Sequence, residues 1–193
     1  MITALILAAG RSRRMGRPKL PLAWGNTTVL GHIIDVIKTA GVREVLVVTG
    51  GDRNIVESIA RECGASTVFN PQHEDREMLG SLQAGIQALG EDVQAVLVAL
   101  GDQPQILEGT VRSILGEYEH HSSKLIVPSY HMHRGHPWLV QRELWPAILA
   151  LEAPQTPREF LAAHAADIHY LNVDTPTVLE DLDTPQDYLK SAL

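Results

Sequence analysis

Short apolar runs alternate along this chain with longer segments in which apolar residues recur at three- and four-residue spacing. The runs predict strands at 2–8, 44–49, 66–69, 94–100, 124–128, 136–140 and 168–173. The spaced segments predict helices over 28–40, 53–63, 81–90, 108–119, 142–151, 157–165 and 185–192. Val45-Leu46-Val47-Val48 and the stretch Ala95 to Leu100 are apolar almost without a break. Strands buried on both faces read this way, as in a parallel sheet covered by helices. Gly41, Gly64 and Gly90 fall where helices should stop. Thr184, Pro185 and Asp187 read as an N-cap, a proline at the first helical position and an acid in the first turn. The alternation predicts βαβ units with right-handed crossovers, hence an α/β fold in one domain over residues 1–193. No internal repeat, low-complexity tract or linker interrupts it.

Composition narrows the function classes. With 193 residues and 45% hydrophobic content, the chain can build one large core. No apolar run approaches the roughly 20 residues that span a bilayer. Residues 2–9 are too short, and lack the flanks, to serve as a signal peptide, so a cytoplasmic location with no membrane partner is expected. The single Cys63 excludes an intramolecular disulfide and reads as a packing residue at a helix end. A formal charge of -7 argues against nucleic acid as the main partner.

Against that acidic background, one loop is basic. Residues 10–19 follow the first strand and hold Arg11, Arg13, Arg14, Arg17 and Lys19, five of the 16 Lys and Arg. Glycines let a backbone approach a ligand and aim N–H groups at it, and Arg and Lys add charge-assisted bonds to phosphate. The spacing is not that of a Walker A loop, because five residues separate Gly10 from Gly16 and Lys19 comes later. It is not a dinucleotide G-x-G-x-x-G either. A solvated basic loop is the plain alternative. The position favours a polyanion site, since open α/β sheets bind ligands at the strands' carboxyl ends.

Leu100-Gly101-Asp102-Gln103-Pro104 ends the strongest apolar run and should share that edge. A carboxylate facing a triphosphate loop makes sense with Mg²⁺ between them, since Mg²⁺ takes one or two carboxylates plus phosphate oxygens. The competing reading is a turn aspartate capping its own backbone.

Leu7-Ala8-Ala9-Gly10-x-Ser12-x-Arg14-Met15-Gly16-x-x-Lys19 resembles the signature loop of the molybdenum cofactor guanylyl- and cytidylyltransferases. Its Ala-Ala-Gly form resembles the cytidylyltransferase branch. The resemblance extends over nearly the whole chain, with motifs at 7–19, 80–86, 100–104, 134–137 and 183–188. It implies a three-layer α/β/α, Rossmann-like nucleotidyltransferase fold with a mostly parallel mixed sheet. It implies nucleotide binding by Leu7, Ala8, Ala9, Gly10, Arg11, Ser12, Met15 and Gly16, and by Gly80 and Ser81 at a helix start. Arg14, Lys19 and Asp102 become the catalytic residues, and Asp102 with Asp183 the Mg²⁺ ligands. As a residue before a helix, Asp183 equally suits a structural role, and Asp181 and Asp174 are acids of the same region. Ser81 equally serves as a plain helix cap. The chain has one serine fewer than the family's usual Met-x-Ser-Ser-Leu. Arg134 and His136, in Arg-Gly-His-Pro, fall on the acceptor side, although Met132 and His133 replace the family's usual Gly-Arg pair. His131, His133 and His136 lack the spacing of a zinc site, and His120-His121 reads as a solvated helix end.

The implied reaction transfers CMP from CTP to molybdopterin, with a molybdoenzyme as downstream partner. A methyl at Ala9 would crowd a purine more than a pyrimidine, which favours CTP over GTP. Two rivals stand beside this reading. One is the same chemistry on a sugar or alcohol phosphate. The other is a non-catalytic carrier or maturation chaperone for the cofactor, against which Asp102 and Lys19 both argue.

Overall fold

The computed structural model describes residues 1–74, 77–121 and 123–191. The strands are β1 Ile2–Ala8, β2 Ala23–Trp24, β3 Thr27–Thr28, β4 Glu44–Thr49, β5 Ser66–Phe69, β6 Ala95–Leu100, β7 Leu125–Tyr130, β8 His133–Arg134, β9 Trp138–Gln141 and β10 Ile168–Asn172. The α-helices are α1 Val29–Thr39, α2 Arg53–Glu62, α3 Glu77–Gln87, α4 Glu108–His120, α5 Trp145–Leu149, α6 Pro157–Ala163 and α7 Pro185–Ser191.

One sheet runs β10-β7-β9-β6-β1-β4-β5, with β8 added to β7, and β2 and β3 form a separate ribbon. The pairs β1/β4, β1/β6, β4/β5 and β7/β10 are parallel. β9 is antiparallel to both β6 and β7, and β8 is antiparallel to β7. The sheet is therefore mixed but mostly parallel. Alternate residues of the central strands enter two different cores. Ala4, Ile6, Val45 and Val47 join Ile33, Ile37, Val56 and Ile114 of α1, α2 and α4. Leu5, Leu46 and Val48 join Leu82, Ile86, Trp145, Ile148 and Phe160 of α3, α5 and α6. Apolar residues on both faces produced the unbroken runs in the sequence, and they give three α/β/α layers.

Local chemistry sets the element ends. Thr28 Oγ1 accepts the N–H of Gly31 at 3.0 Å and caps α1. Thr156 and Glu159 close a capping box on α6. Thr184 and Asp187 bond reciprocally at the start of α7, as predicted: Asp187 Oδ2 accepts from Thr184 N at 2.8 Å, and Thr184 Oγ1 accepts from Asp187 N at 3.3 Å.

Three expectations shift. β9 starts at Trp138 rather than 136, because Pro137 has no N–H to give a ladder. The helix expected over 142–151 is a 3-10 turn, Arg142–Leu144, followed by α5, with Pro146 at its first turn. Trp145 N–H donates to Arg142 O in the 3-10 manner, and Pro146 has no N–H to give that carbonyl an α-helical bond, which separates the two pieces. α3 begins at Glu77, four residues ahead of the expected 81, so Ser81 lies inside the helix and does not cap it. Position 192 of the last expected helix lies outside the described residues.

Candidate active site

The 9–19 loop leaves the carboxyl end of β1, an inner strand of the parallel block β6-β1-β4-β5. Backbone bonds tie that end to its neighbours: Gly51 N donates to Ala9 O at 3.3 Å, and Gly101 N donates to Leu7 O at 2.9 Å. At Gly50 a Cβ would lie 2.5 Å from Ala9 O, so only glycine lets β4's end approach so closely. Within the loop Met15 is buried and anchors a 3-10 turn. Ser12 accepts at both ends of the turn region, its carbonyl from Met15 N at 2.9 Å and its Oγ from Lys19 N at 3.2 Å. Ser12 and Gly16 hold φ of +49° and +66°, so the chain doubles back and returns Lys19 to the sheet edge.

There Lys19 meets the acids. Its Nζ donates to Asp102 Oδ2 at 2.6 Å and to Leu182 O at 2.9 Å, and lies 3.8 Å from Asp183 Oδ1. Arg14 Nη1 donates to Asp183 Oδ2 at 2.8 Å from an exposed position. The 181–183 segment is fixed by Leu182, whose side chain is fully buried and whose N–H donates to Asp102 O at 2.9 Å. With Leu182 turned inward, its neighbours Asp181 and Asp183 both face the cleft. Burial raises the Asp181 carboxyl above its ordinary range, and Asp102 and Asp183 push the same way. The bond Asp181 accepts from Gln103 Nε2 at 2.6 Å opposes this. Two carboxylates thus converge on one ammonium, with a third beside them; among the described residues the three acids do not themselves form a three-ligand metal group.

Two adjoining cavities flank this cluster. One, of about 510 Å³, is lined by Leu7, Ala9, Gly10, Arg11, Ser12, Arg14, Lys19, Ser81 and all three acids, with His73, Glu74, Met78 and Leu100. The other, of about 790 Å³, carries His133, Arg134, His136, Trp138, Thr156 and Arg158, and shares Met78, Leu100 and Asp181 with the first. The predicted loop residues thus gather at one cavity, and Arg134 and His136 at its neighbour. Ala8, Met15, Gly16 and Gly80 line neither: Ala8 packs in the core, Met15 anchors the loop from below, Gly16 turns it, and Gly80 is buried within α3. Ser81, buried, accepts a hydrogen bond from Asn70 Nδ2 at 3.2 Å.

His136 stacks on Trp138 with centroids 4.5 Å apart. Burial pulls its pKa down to about 3, so the ring is neutral near pH 7 and brings no positive charge to that cavity. The charge in that cavity comes from Arg134, held by Tyr170 Oη at 2.6 Å, and from Arg158. Among the described residues, His131, His133 and His136 do not form a three-ligand metal group.

The profile of the MobA-like NTP transferase domain matches residues 4–168, which include the loop, Asp102 and the sheet between them. The chain belongs to that family. This nucleotidyltransferase is 25% identical over 189 residues to the molybdenum cofactor cytidylyltransferase of Escherichia coli K12, with 97% of this chain and 94% of that one covered. It is 27% identical over 192 residues to the nicotine blue oxidoreductase of Paenarthrobacter nicotinovorans, with 95% and 92% covered. A manganese complex of Rv0371c from Mycobacterium tuberculosis H37Rv superposes with a TM-score of 0.81 at 27% identity, over 99% of this chain and 97% of that one.

Sequence reasoning ranked Asp181 below Asp183 and passed over Asn70, His73, Glu74 and Arg158 in this MobA-like domain. A signal for three of them existed: Asn70 directly follows β5, and a loop leaving a parallel strand's carboxyl end reaches the same crevice. Glu74 there pairs with Arg11 of the loop.

Proposed function

We propose that this nucleotidyltransferase moves CMP from CTP to a phosphate of a molybdopterin-type cofactor, using Mg²⁺ and releasing pyrophosphate. The carrying observation is the position of Lys19 between Asp102 and Asp183, at the junction of a basic-loop cavity and an arginine-bearing one. In this reading the 510 Å³ cavity takes the triphosphate and the 790 Å³ cavity the acceptor. An acceptor phosphate oxygen attacks the α-phosphorus, the bond to the β-phosphate oxygen breaks, and pyrophosphate departs. The acceptor is itself the nucleophile, so no covalent enzyme intermediate arises. Catalysis is then positioning and charge neutralisation. The loop's N–H groups, Arg14 and Lys19 compensate the charge on the β- and γ-phosphates and on the leaving group. Asp102 and Asp183 would hold Mg²⁺, which when bound supplies charge at the α-phosphate. Arg134 and Arg158 orient the acceptor, with neutral His136 as a hydrogen-bonding partner. Ala9 lines the nucleotide cavity and narrows it against a purine. Residues 1–193 work as one domain, in the cytoplasm.

Pyrophosphate release tests the reading, with CTP, GTP, ATP and UTP each offered with molybdopterin or a sugar phosphate, with and without Mg²⁺. Release is expected with CTP, molybdopterin and Mg²⁺, and Ala9→Gly is expected to raise the use of GTP. Equal or better use of GTP by the unmodified protein sinks the cytidylyl assignment. Release with a sugar phosphate alone reassigns the acceptor. Silence with every pair, while molybdopterin still raises the unfolding temperature, favours the carrier reading.

A further inference from the structure

Outside the cleft, the end of α4 and the edge strand β10 bring three ligand-type side chains together. Glu117 and His121 stand one helical turn apart, and His169 reaches them from β10. Glu117 Oε2 lies 3.0 Å from His121 Nε2 and 2.9 Å from His169 Nε2. The three ligand atoms all fall within 4.8 Å of one another. None of the three lines either cavity of the transferase cleft. We propose that Glu117, His121 and His169 form a second metal site, for a divalent transition ion of the zinc type, that clips α4 to the sheet edge.

The ligand set selects the ion class. Two imidazoles and one carboxylate suit Zn²⁺, Ni²⁺ or Cu²⁺, whereas Mg²⁺ prefers oxygen donors alone. The cluster therefore does not compete for the ion proposed at Asp102. Three protein ligands leave a tetrahedral ion one position for water. His121 and His169 are 51% and 32% exposed, so an ion can reach the two rings from solvent, and Glu117 Oε2, the third ligand atom, is buried.

The observed packing also says which side chain moves. The two rings stack with centroids 4.8 Å apart and planes 23° from parallel. An ion bound in the plane of both rings needs them turned further from parallel. His121 follows the last residue of α4 and is the most exposed of the three, so it is the ring that turns about its Cβ–Cγ bond.

The test uses the full chain, stripped of metal and then held in excess Mg²⁺. Zn²⁺ titrated calorimetrically should bind at one equivalent per chain and raise the unfolding temperature. His169→Ala and His121→Ala should each weaken that binding at least tenfold and abolish the thermal shift. Asp102→Asn should leave both intact. Co²⁺ in place of Zn²⁺ should give visible d–d bands that vanish in the histidine variants. Unchanged Zn²⁺ affinity in His121→Ala overturns the proposal, and so does loss of binding in Asp102→Asn with retention in the histidine variants. If His169→Ala does not fold, His121→Ala decides alone, because its exposed position at the helix end costs no core packing.

Discussion

Lys19 is held by two carboxylates and a carbonyl, all drawn from segments that meet only in the folded chain. Its side chain is 12% exposed, against 26% for Asp102, so the pair is screened far less than the exposed contact between Arg14 and Asp183. Removing one member of such a set separates role from stability. Asp102→Asn preserves shape and can still accept from Lys19, but it lacks the charge a divalent ion requires. Nucleotidyl transfer should drop about 10²-fold or more, the loss typical when one electrostatic stabiliser is removed. Far-UV dichroism and the unfolding midpoint should stay near those of the unmodified protein. Near-normal Mg²⁺-dependent turnover would remove Asp102 from the metal role. Lys19→Ala should slow single-turnover transfer and weaken CTP binding, which fluorescence competition would read. An unchanged rate would leave Lys19 with a purely structural part.

Helix α3 lies close on β1, and Gly85 sets how close. A Cβ there would sit 2.3 Å from Leu5 Cδ1 and 2.9 Å from Leu5 Cγ, beneath a fully buried side chain. Propensity alone would make Gly85→Ala stabilising by about 1 kcal/mol. The methyl cannot be accommodated by moving only the tip of Leu5, so overpacking should dominate, with a net loss of about 1–2 kcal/mol. A urea midpoint that falls supports this, and one that rises refutes it. The same contact explains part of what the sequence concealed. Ser81 after Gly80 reads as a cap, so the helix is expected to start there, whereas Glu77, Met78 and Leu79 begin it and packing tolerates Gly80 and Gly85 inside it. Among the described residues, the seven longer strands and the seven α-helices were legible in place though not all in extent, because burial on both sheet faces and capping residues leave local marks. The two-residue strands β2, β3 and β8 leave none. Nor was the choice between Asp181 and Asp183 legible, since a backbone bond between Leu182 and Asp102 turns both acids into the cleft. The Glu117, His121 and His169 cluster was hidden for a similar reason: the parallel pairing of β7 with β10 creates it.

At the scale of the whole molecule, acid stability should bear the mark of one ring. His136 titrates near 3 in the folded protein and near 6.5 when unfolded. Between those values the unfolded chain binds the extra proton, so stability is full above pH 6.5 and falls as the solution is acidified toward 3. The loss from pH 7 to pH 5 should be up to about 2 kcal/mol. His136→Phe keeps the stack on Trp138 and removes the titration, so its urea midpoint should change less over that range. An identical slope in the variant would assign the acid sensitivity elsewhere. Strand order also carries a consequence for how the molecule is made. β1 lies between β4 and β6, and Ile2 pairs with Ala95. While the chain is being synthesised, one hydrogen-bonding edge of this apolar strand stays open until the sixth strand has emerged, and the basic loop has no floor before then. High contact order of this kind slows folding and leaves an exposed edge to nascent chains, which makes the first hundred residues the stretch that most needs chaperone cover.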